Sequence, residues 1–228
     1  MTKQVRAERT RHALIRSAAA VFEQYGYAQA RLTLIAAGAG VSTGALHFHF
    51  ENKAAVAAAV EAEASHAVRA ASRGVYRRKN TALQALTDTS HALADLLRRD
   101  TVTRAGFRLS DDATRSGEVD LRRQWQDCVQ QLLTEAAGEG SLVPGVPRAD
   151  LAATIVAATT GFEVLGRRNS EWLSRYSLTG FWQLLLPRLA TPDALTRLDP
   201  AGADSLAVPA RSLPDHAPPR LANPALRF

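Results

Sequence analysis

Residues 40–53 read Gly-Val-Ser-Thr-Gly-Ala-Leu-His-Phe-His-Phe-Glu-Asn-Lys, and this stretch decides the fold. It parses as a short turn, a one-residue cap, a two-turn helix and a second cap. Ser42 is placed to accept a hydrogen bond from a free backbone N–H at the start of the helix. Upstream, Leu32 to Ala39 forms another short helical segment, closed by Gly38 and Gly40, which tolerate turn geometry. Two short helices joined by a glycine-containing turn are the helix-turn-helix pattern, whose second helix fits the major groove of DNA.

Working outward, residues 7–25 read as a helix. Leu14, Ile15, Ala18, Val21 and Phe22 recur at three- and four-residue steps, and Gly26 ends the segment. Arg6, Arg9 and Arg11 crowd its beginning, the unfavourable end of the helix dipole for cations. A nearby phosphate supplies a reason for them; a solvated basic arm is the competing account. Downstream, helices are predicted over 53–78, 80–98, 101–110, 118–138, 148–166 and 170–189, with turn signals at Gly117, Gly138-Glu139-Gly140 and Pro144-Gly145-Val146-Pro147. Apolar spacing of two is almost absent, so the expected fold class is all-α.

The formal net charge of +6 and pI of about 10.1 favour a polyanionic partner, nucleic acid being the commonest. Charge alone does not separate that from a basic solvated surface. The single cysteine, Cys128, excludes an intrachain disulfide and lies in an apolar-periodic segment, where it reads as a core residue rather than a nucleophile. No continuous apolar run approaches the ~18 residues of a membrane span, and residues 1–16 lack the apolar region of a signal peptide. The expectation is a cytoplasmic protein with no membrane partner. Beyond 189 the character changes: residues 190–228 hold seven of the ten prolines and no sustained apolar period, which reads as a disordered or loosely attached tail.

Phe22, Gly26-Tyr27, the Ile35–Ala39–Gly40–Val41 turn, Gly44, Leu46-His47-Phe48-His49-Phe50 and Lys53 together resemble the DNA-binding domain of the tetracycline-repressor family. The Gly-Ala-Leu-His-Phe-His-Phe wording, Arg104-Ala-Gly-Phe-Arg-Leu and Trp125 are similar to its γ-butyrolactone receptor branch. The resemblance implies an N-terminal three-helix helix-turn-helix domain over 1–53, a C-terminal helical ligand-binding and dimerisation domain over 54–189, and the tail over 190–228. It implies a homodimer bound to an inverted-repeat operator in double-stranded DNA, and release of the operator when a small-molecule effector binds. It implies no cofactor and no metal. Such receptors control antibiotic production, and basic members of the branch are often pseudo-receptors that answer to antibiotics or their intermediates rather than to γ-butyrolactones.

On this reading the DNA-contacting set is Arg6, Arg9, Arg11, Ser42, Thr43, Gly44, Ala45, His47, His49 and Lys53. Thr43 stands where the family usually has lysine, and His47 where it usually has tyrosine, so the operator preference of typical receptors does not transfer. Phe48 and Phe50 are both expected in the core of the head. Lys53, beside Glu51-Asn52 at the start of the next helix, resembles a phosphate-contacting residue. His47 and His49 lie about 200° apart around a helix, which excludes a shared metal.

The ligand-binding candidates are Phe107, Trp125, Val129, Thr159, Thr160, Phe162 and Glu163. With Ala158 they form an apolar and aromatic set carrying a few hydroxyls and one carboxylate, the composition of a small-molecule cavity and equally of an ordinary core. Asp111, Asp112 and Glu118, beside Arg115 and Arg122-Arg123, read as a solvated, self-compensating charged loop.

An enzyme is the competing class, but the chain has no nucleophile motif in context, no glycine-rich phosphate loop and no metal-ligand spacing. A pocket protein whose head does not contact DNA is the other, kept open by Thr43 and His47.

Overall fold

The computed structural model describes residues 3–76, 80–112, 114–115, 117 and 119–203. The architecture is all-α, with an N-terminal helix-turn-helix head and a C-terminal helical domain. Within the described residues the only extended pairing is a single antiparallel bridge between Leu142 and Ala190. The head comprises α1 (Lys3–Gln29), α2 (Leu32–Gly38) and α3 (Thr43–His49). The long α4 (Lys53–Tyr76) leads into the second domain, built from α5 (Ala82–Arg99), α6 (Thr101–Ser110), α7 (Leu121–Gly138), α8 (Arg148–Gly166), a 3-10 turn (Ser170–Leu173), α9 (Arg175–Leu189) and the short α10 (Pro192–Leu195).

The head closes on the apolar stripe of α1. Leu14, Ile15, Ala18 and Phe22 are buried against Ile35 of α2 and Leu46 of α3. Between α2 and α3, Gly40 turns the chain with φ of 69°, a conformation that carries almost no penalty in glycine alone. The Ser17 hydroxyl donates to the carbonyl of Ile35 at 2.7 Å and fixes α2 on α1. The first helix is longer than its apolar period indicates. It starts at Lys3 and resumes after a break at Gly26, where φ is 73°.

The head docks on α6, which lies between α1 and α4. The helices α4 and α6 approach so closely that a Cβ at Gly106 would sit 2.4 Å from the Cβ of Ala64, so glycine is required there by space. Capping side chains set the starts of the later helices. Asp100 accepts from the backbone N–H of Val102 and Thr103 at 3.2 and 3.0 Å, Asp120 from Arg123 at 2.9 Å, and Ser174 from Ser177 at 3.3 Å. Ser174 also divides the predicted 170–189 helix into the 3-10 turn and α9, and α7 begins at its Asp120 cap rather than at 118. The second core gathers Leu86, Leu132, Leu133, Ile155, Trp182 and Leu186, and the indole N–H of Trp182 donates to Ser90 at 2.7 Å.

Within the segment read as a loose tail, residues 190–203 are packed. Ala190 and Ala194 are buried. The 198–203 stretch turns at 200–202 and packs on α5: Asp199 N–H donates to Gln84 Oε1 at 2.8 Å, Ala203 N–H to Asp88 Oδ1 at 2.9 Å, and Pro200 O lies 3.0 Å from His91 Nε2. Composition misleads here because a few apolar side chains, Ala190, Ala194, Leu195 and Leu198, attach the first part and backbone groups attach 199–203. Residues 204–228 lie outside the described residues. The α8 helix has a mean hydropathy of 1.2 over an 18-residue window, enough by length and composition to cross a membrane, yet only 22% of that window is buried inside the fold. Threonines and glycines interleave its apolar residues, which is why no continuous run is visible in sequence.

Candidate nucleic-acid interface and effector cavity

The short α3 is held by its own caps. Ser42 Oγ accepts the N–H of Ala45 at 3.1 Å, and the N–H of Phe50 reaches the carbonyl of Leu46 at 2.9 Å. Leu46 and Phe50, one turn apart, point into the head. Two rows therefore face away from it, Thr43 with His47 and Gly44 with Phe48, each pair one turn apart. Gly44, His47 and Phe48 are exposed, and Thr43, Ala45 and His49 are partly so. Phe48 is 80% exposed, contrary to its expected core position. Two residues after Leu46 it lies on the opposite side of the helix, and its ring meets only the edge of His49, 5.2 Å away. Beside Gly44 only Ser42 Oγ lies within 4 Å of where a Cβ would be, so the first turn of α3 presents an open, shallow surface.

Arg6, Arg9 and Arg11 are exposed on the first turns of α1, and the guanidinium of Arg11 lies 5.3 Å from the Phe50 ring, linking the arm to the end of α3. Lys53 is engaged elsewhere. Its ammonium donates to the carbonyls of Tyr27, Ala28 and Ala30 at 2.9, 3.1 and 3.3 Å and lies 4.6 Å from the Tyr27 ring. An ammonium has three N–H donors, and here all three close the C-terminal end of α1. Asn52 caps α4 through Ala55 N–H at 2.9 Å.

A second cation reaches Tyr27. Arg115 lies 4.6 Å from the same ring and makes a two-pronged ion pair with Glu61, at 2.9 and 3.1 Å. Both partners are buried, with side chains 7% and 1% exposed. Of the loop read as solvated, Arg115 is thus interior, while Asp111 is bound to Arg122 and, at 2.5 Å, to Arg167. Burial pushes the Asp111 carboxyl upward, but the two guanidinium groups outweigh it and leave its pKa below the ordinary value. Glu118 lies outside the described residues. Sequence reasoning missed Glu61 and Glu23; the signal for Glu61 was a lone carboxylate on an otherwise alanine-rich face of α4.

The effector candidates do not converge on one space. Trp125 is buried, and its indole N–H donates to Thr159 Oγ1 at 2.8 Å; Thr159 in turn bonds the Ile155 carbonyl at 2.7 Å. Val129 and Phe107 are buried nearby in the same core. Glu163 is buried and paired with Arg122 and Arg167, each at 2.7 Å, and Arg122 lies 5.9 Å from the Phe107 ring. Asp111 and Glu163 hold the Arg122 guanidinium in its charged form. Phe162 turns towards Trp172 and Phe181. Thr160 is half-buried on α8.

Between α5, α8 and α9, Thr159 and Phe162 line a narrow, partly open crevice with a volume of about 10 Å³. On the other side of Trp125 an open groove of about 370 Å³ runs between α4 and α7, bordered by Val68, Ser72, Gln124 and Cys128. Burial raises the Cys128 thiol pKa to about 11, so it stays protonated at neutral pH.

Residues 14–60 match the family described as bacterial regulatory proteins, tetR family. Over 212 residues the chain is 32% identical to the A-factor receptor protein of Streptomyces griseus, covering 92% of this chain and 75% of that one. Among solved structures it is similar to a γ-butyrolactone receptor (ArpA-like protein), with a TM-score of 0.75, 27% identity and coverage of 86% and 96% of the two chains. It is also similar to CprB, a TetR family protein from Streptomyces coelicolor solved in complex with its biological operator sequence, with a TM-score of 0.72, 28% identity and coverage of 84% and 94%.

Proposed function

We propose, for a chain that belongs to the tetR family of bacterial regulatory proteins and is related to its γ-butyrolactone receptors, that it is an effector-controlled repressor acting as a pseudo-receptor in the control of antibiotic biosynthesis. The observation that carries the DNA-binding part is the outward face of α3. Thr43, Gly44, His47 and Phe48 stand on a capped, two-turn helix whose opposite side is anchored by Leu46 and Phe50. A helix so anchored enters a major groove without rearranging the head. Thr43 and His47 offer hydrogen bonds to base edges or phosphate, and the exposed Arg6, Arg9 and Arg11 supply positive charge beside it.

The unit proposed is a two-fold dimer acting in the cytoplasm on an inverted repeat. Supporting this, α8 and α9 leave Val164, Leu165, Tyr176 and Leu184 exposed at 45%, 46%, 89% and 81%, an apolar face suited to a second copy. In this reading residues 1–53 form the DNA-binding head and 54–189 the effector and dimer domain, with 190–203 added to the latter by packing.

For the effector we favour an antibiotic or a pathway intermediate, bound at Trp125 and Thr159; the basic pI and the altered Thr43 and His47 support this over a γ-butyrolactone. Release requires that the effector bind the DNA-incompetent state more tightly than the DNA-bound one. A gel shift on the protein's own promoter, with both compound classes added to the preformed complex, tests the reading. No shifted band removes the DNA-binding proposal. Release by a γ-butyrolactone alone makes the protein a true receptor of the same family.

A further inference from the structure

A cavity of about 330 Å³ opens where the head meets the second domain, between α1, the end of α5, α6, α8 and the 3-10 turn. It is separate from the Trp125 groove, and it takes in Glu163 of the effector candidates and shares Leu97 and Leu173 with the space beside Thr159. Four guanidinium groups, of Arg98, Arg104, Arg108 and Arg167, border it against two carboxylates, Glu23 and Glu163. The four are unequally committed. All five N–H donors of Arg104 are taken, by both oxygens of Glu23, the carbonyls of Leu97 and Arg98, and Thr101 Oγ1. Arg167 is held by Glu163 and Asp111. Among the described residues Arg108 bonds the backbone carbonyl of Glu23 and feels the charge of Asp112, and no carboxylate pairs with Arg98. The least committed guanidinium groups are therefore those of Arg98 and Arg108. Leu97 and Leu173 provide an apolar wall beside them.

We infer that this junction is a second small-molecule site, selective for a carboxylate carried on a compact apolar body. The volume is at the lower end of ligand cavities. Arginine donors match a carboxylate in charge and in planar geometry. An incoming carboxylate seated on Arg98 and Arg108 competes with the Glu23 carboxylate for Arg104 and with the Glu23 main-chain carbonyl for Arg108, and Glu23 is the acidic residue that ties α1 to α6. Occupancy therefore loosens the head from the second domain.

The test is direct binding to the full-length protein without DNA, so that its outcome is independent of the repressor assignment. Calorimetry would use 1-naphthoate, salicylate and octanoate, each against its neutral amide. At least one acid is expected to saturate, with its amide about tenfold weaker or worse, the worth of a charged hydrogen bond. Arg98→Gln, on an exposed helix end, should weaken the acid by a similar factor, Arg98→Lys should restore part of it, and Trp125→Phe should leave it unchanged. Glu23→Gln should tighten binding by removing the internal competitor. Absence of binding by all three acids, equal binding of acid and amide, or indifference to both Arg98→Gln and Glu23→Gln would overturn the proposal.

Discussion

Arg115 and Glu61 stand 54 positions apart in the chain and meet as a buried, two-pronged ion pair with N–O distances of 2.9 and 3.1 Å. The pair joins the loop after α6 to the middle of α4, and through Arg115 to the ring of Tyr27 in the head. Removing one partner strands the other charge in the interior. Arg115→Ala is expected to cost about 3–5 kcal/mol in urea unfolding, while Glu61→Met with Arg115→Met costs much less, because no uncompensated charge remains. Equal losses in the two variants would show that the pair is not isolated from water.

Lys53→Ala separates capping from phosphate contact. With its three donors on carbonyls at the end of α1, its loss should lower stability by about 1–3 kcal/mol. The dependence of operator affinity on salt should keep its slope. A phosphate contact would instead make the logarithmic slope shallower by about one.

Gly44→Leu should fold normally, since only Ser42 Oγ lies within 4 Å of the added carbon and leucine is the better helix former by several tenths of a kcal/mol up to about 1. The operator band should vanish in a gel shift, because the side chain projects from the face proposed to enter the groove. Retained binding with unchanged melting would move the contact surface away from the first turn of α3.

At Trp125 the choice of substitution matters. Its side chain is buried, so alanine is expected to cost about 3–5 kcal/mol and to confound any functional readout. Trp125→Phe keeps most of the volume and removes the N–H to Thr159 with part of the fused ring. Operator binding should persist and the concentration of effector needed for release should rise. An unchanged release curve would place the effector elsewhere.

His91 gives a pH prediction. Burial lowers its pKa from 6.5, and the nearby Arg175 adds to this, against the opposing bond to Pro200 and the charges of Asp88 and Asp199. The neutral ring is the form the fold retains, so its contribution is complete above 6.5 and is lost as pH falls from there through the lowered folded value. Thermal melts should therefore decline over that interval, and His91→Gln should flatten the decline. A wild-type profile already flat over that interval would contradict the burial argument.

What was legible in the sequence was local. Ser42, Gly40 and Leu46 each act within a few residues, and the predicted 101–110 and 148–166 helices coincide with α6, which the structure shows capped by Asp100, and α8, which follows the 144–147 turn. Glu61–Arg115 and Glu23–Arg104 were not legible, since nothing near either residue announces a partner 54 or 81 positions away. Phe48 was misplaced because hydrophobicity suggests burial, while the helix phase set by Leu46 and Phe50 points it outward. The clasp of 199–203 on α5 rests on main-chain groups, which any residue possesses, so side-chain composition was silent about it. The effector candidates were read as one set of residue types, whereas the structure divides them: Trp125 borders the groove, Thr159 and Phe162 the small space beyond it, and Glu163 the junction cavity.

That division has a kinetic meaning. The crevice beside Thr159 and Phe162, about 10 Å³, is barely room for one water molecule. A compound larger than water fits there only when α5, α8 and α9 part, and an opening that precedes binding has a kinetic signature. At high compound concentration the observed association rate should stop rising and settle at the frequency of that opening, a plateau that stopped-flow tryptophan fluorescence can time.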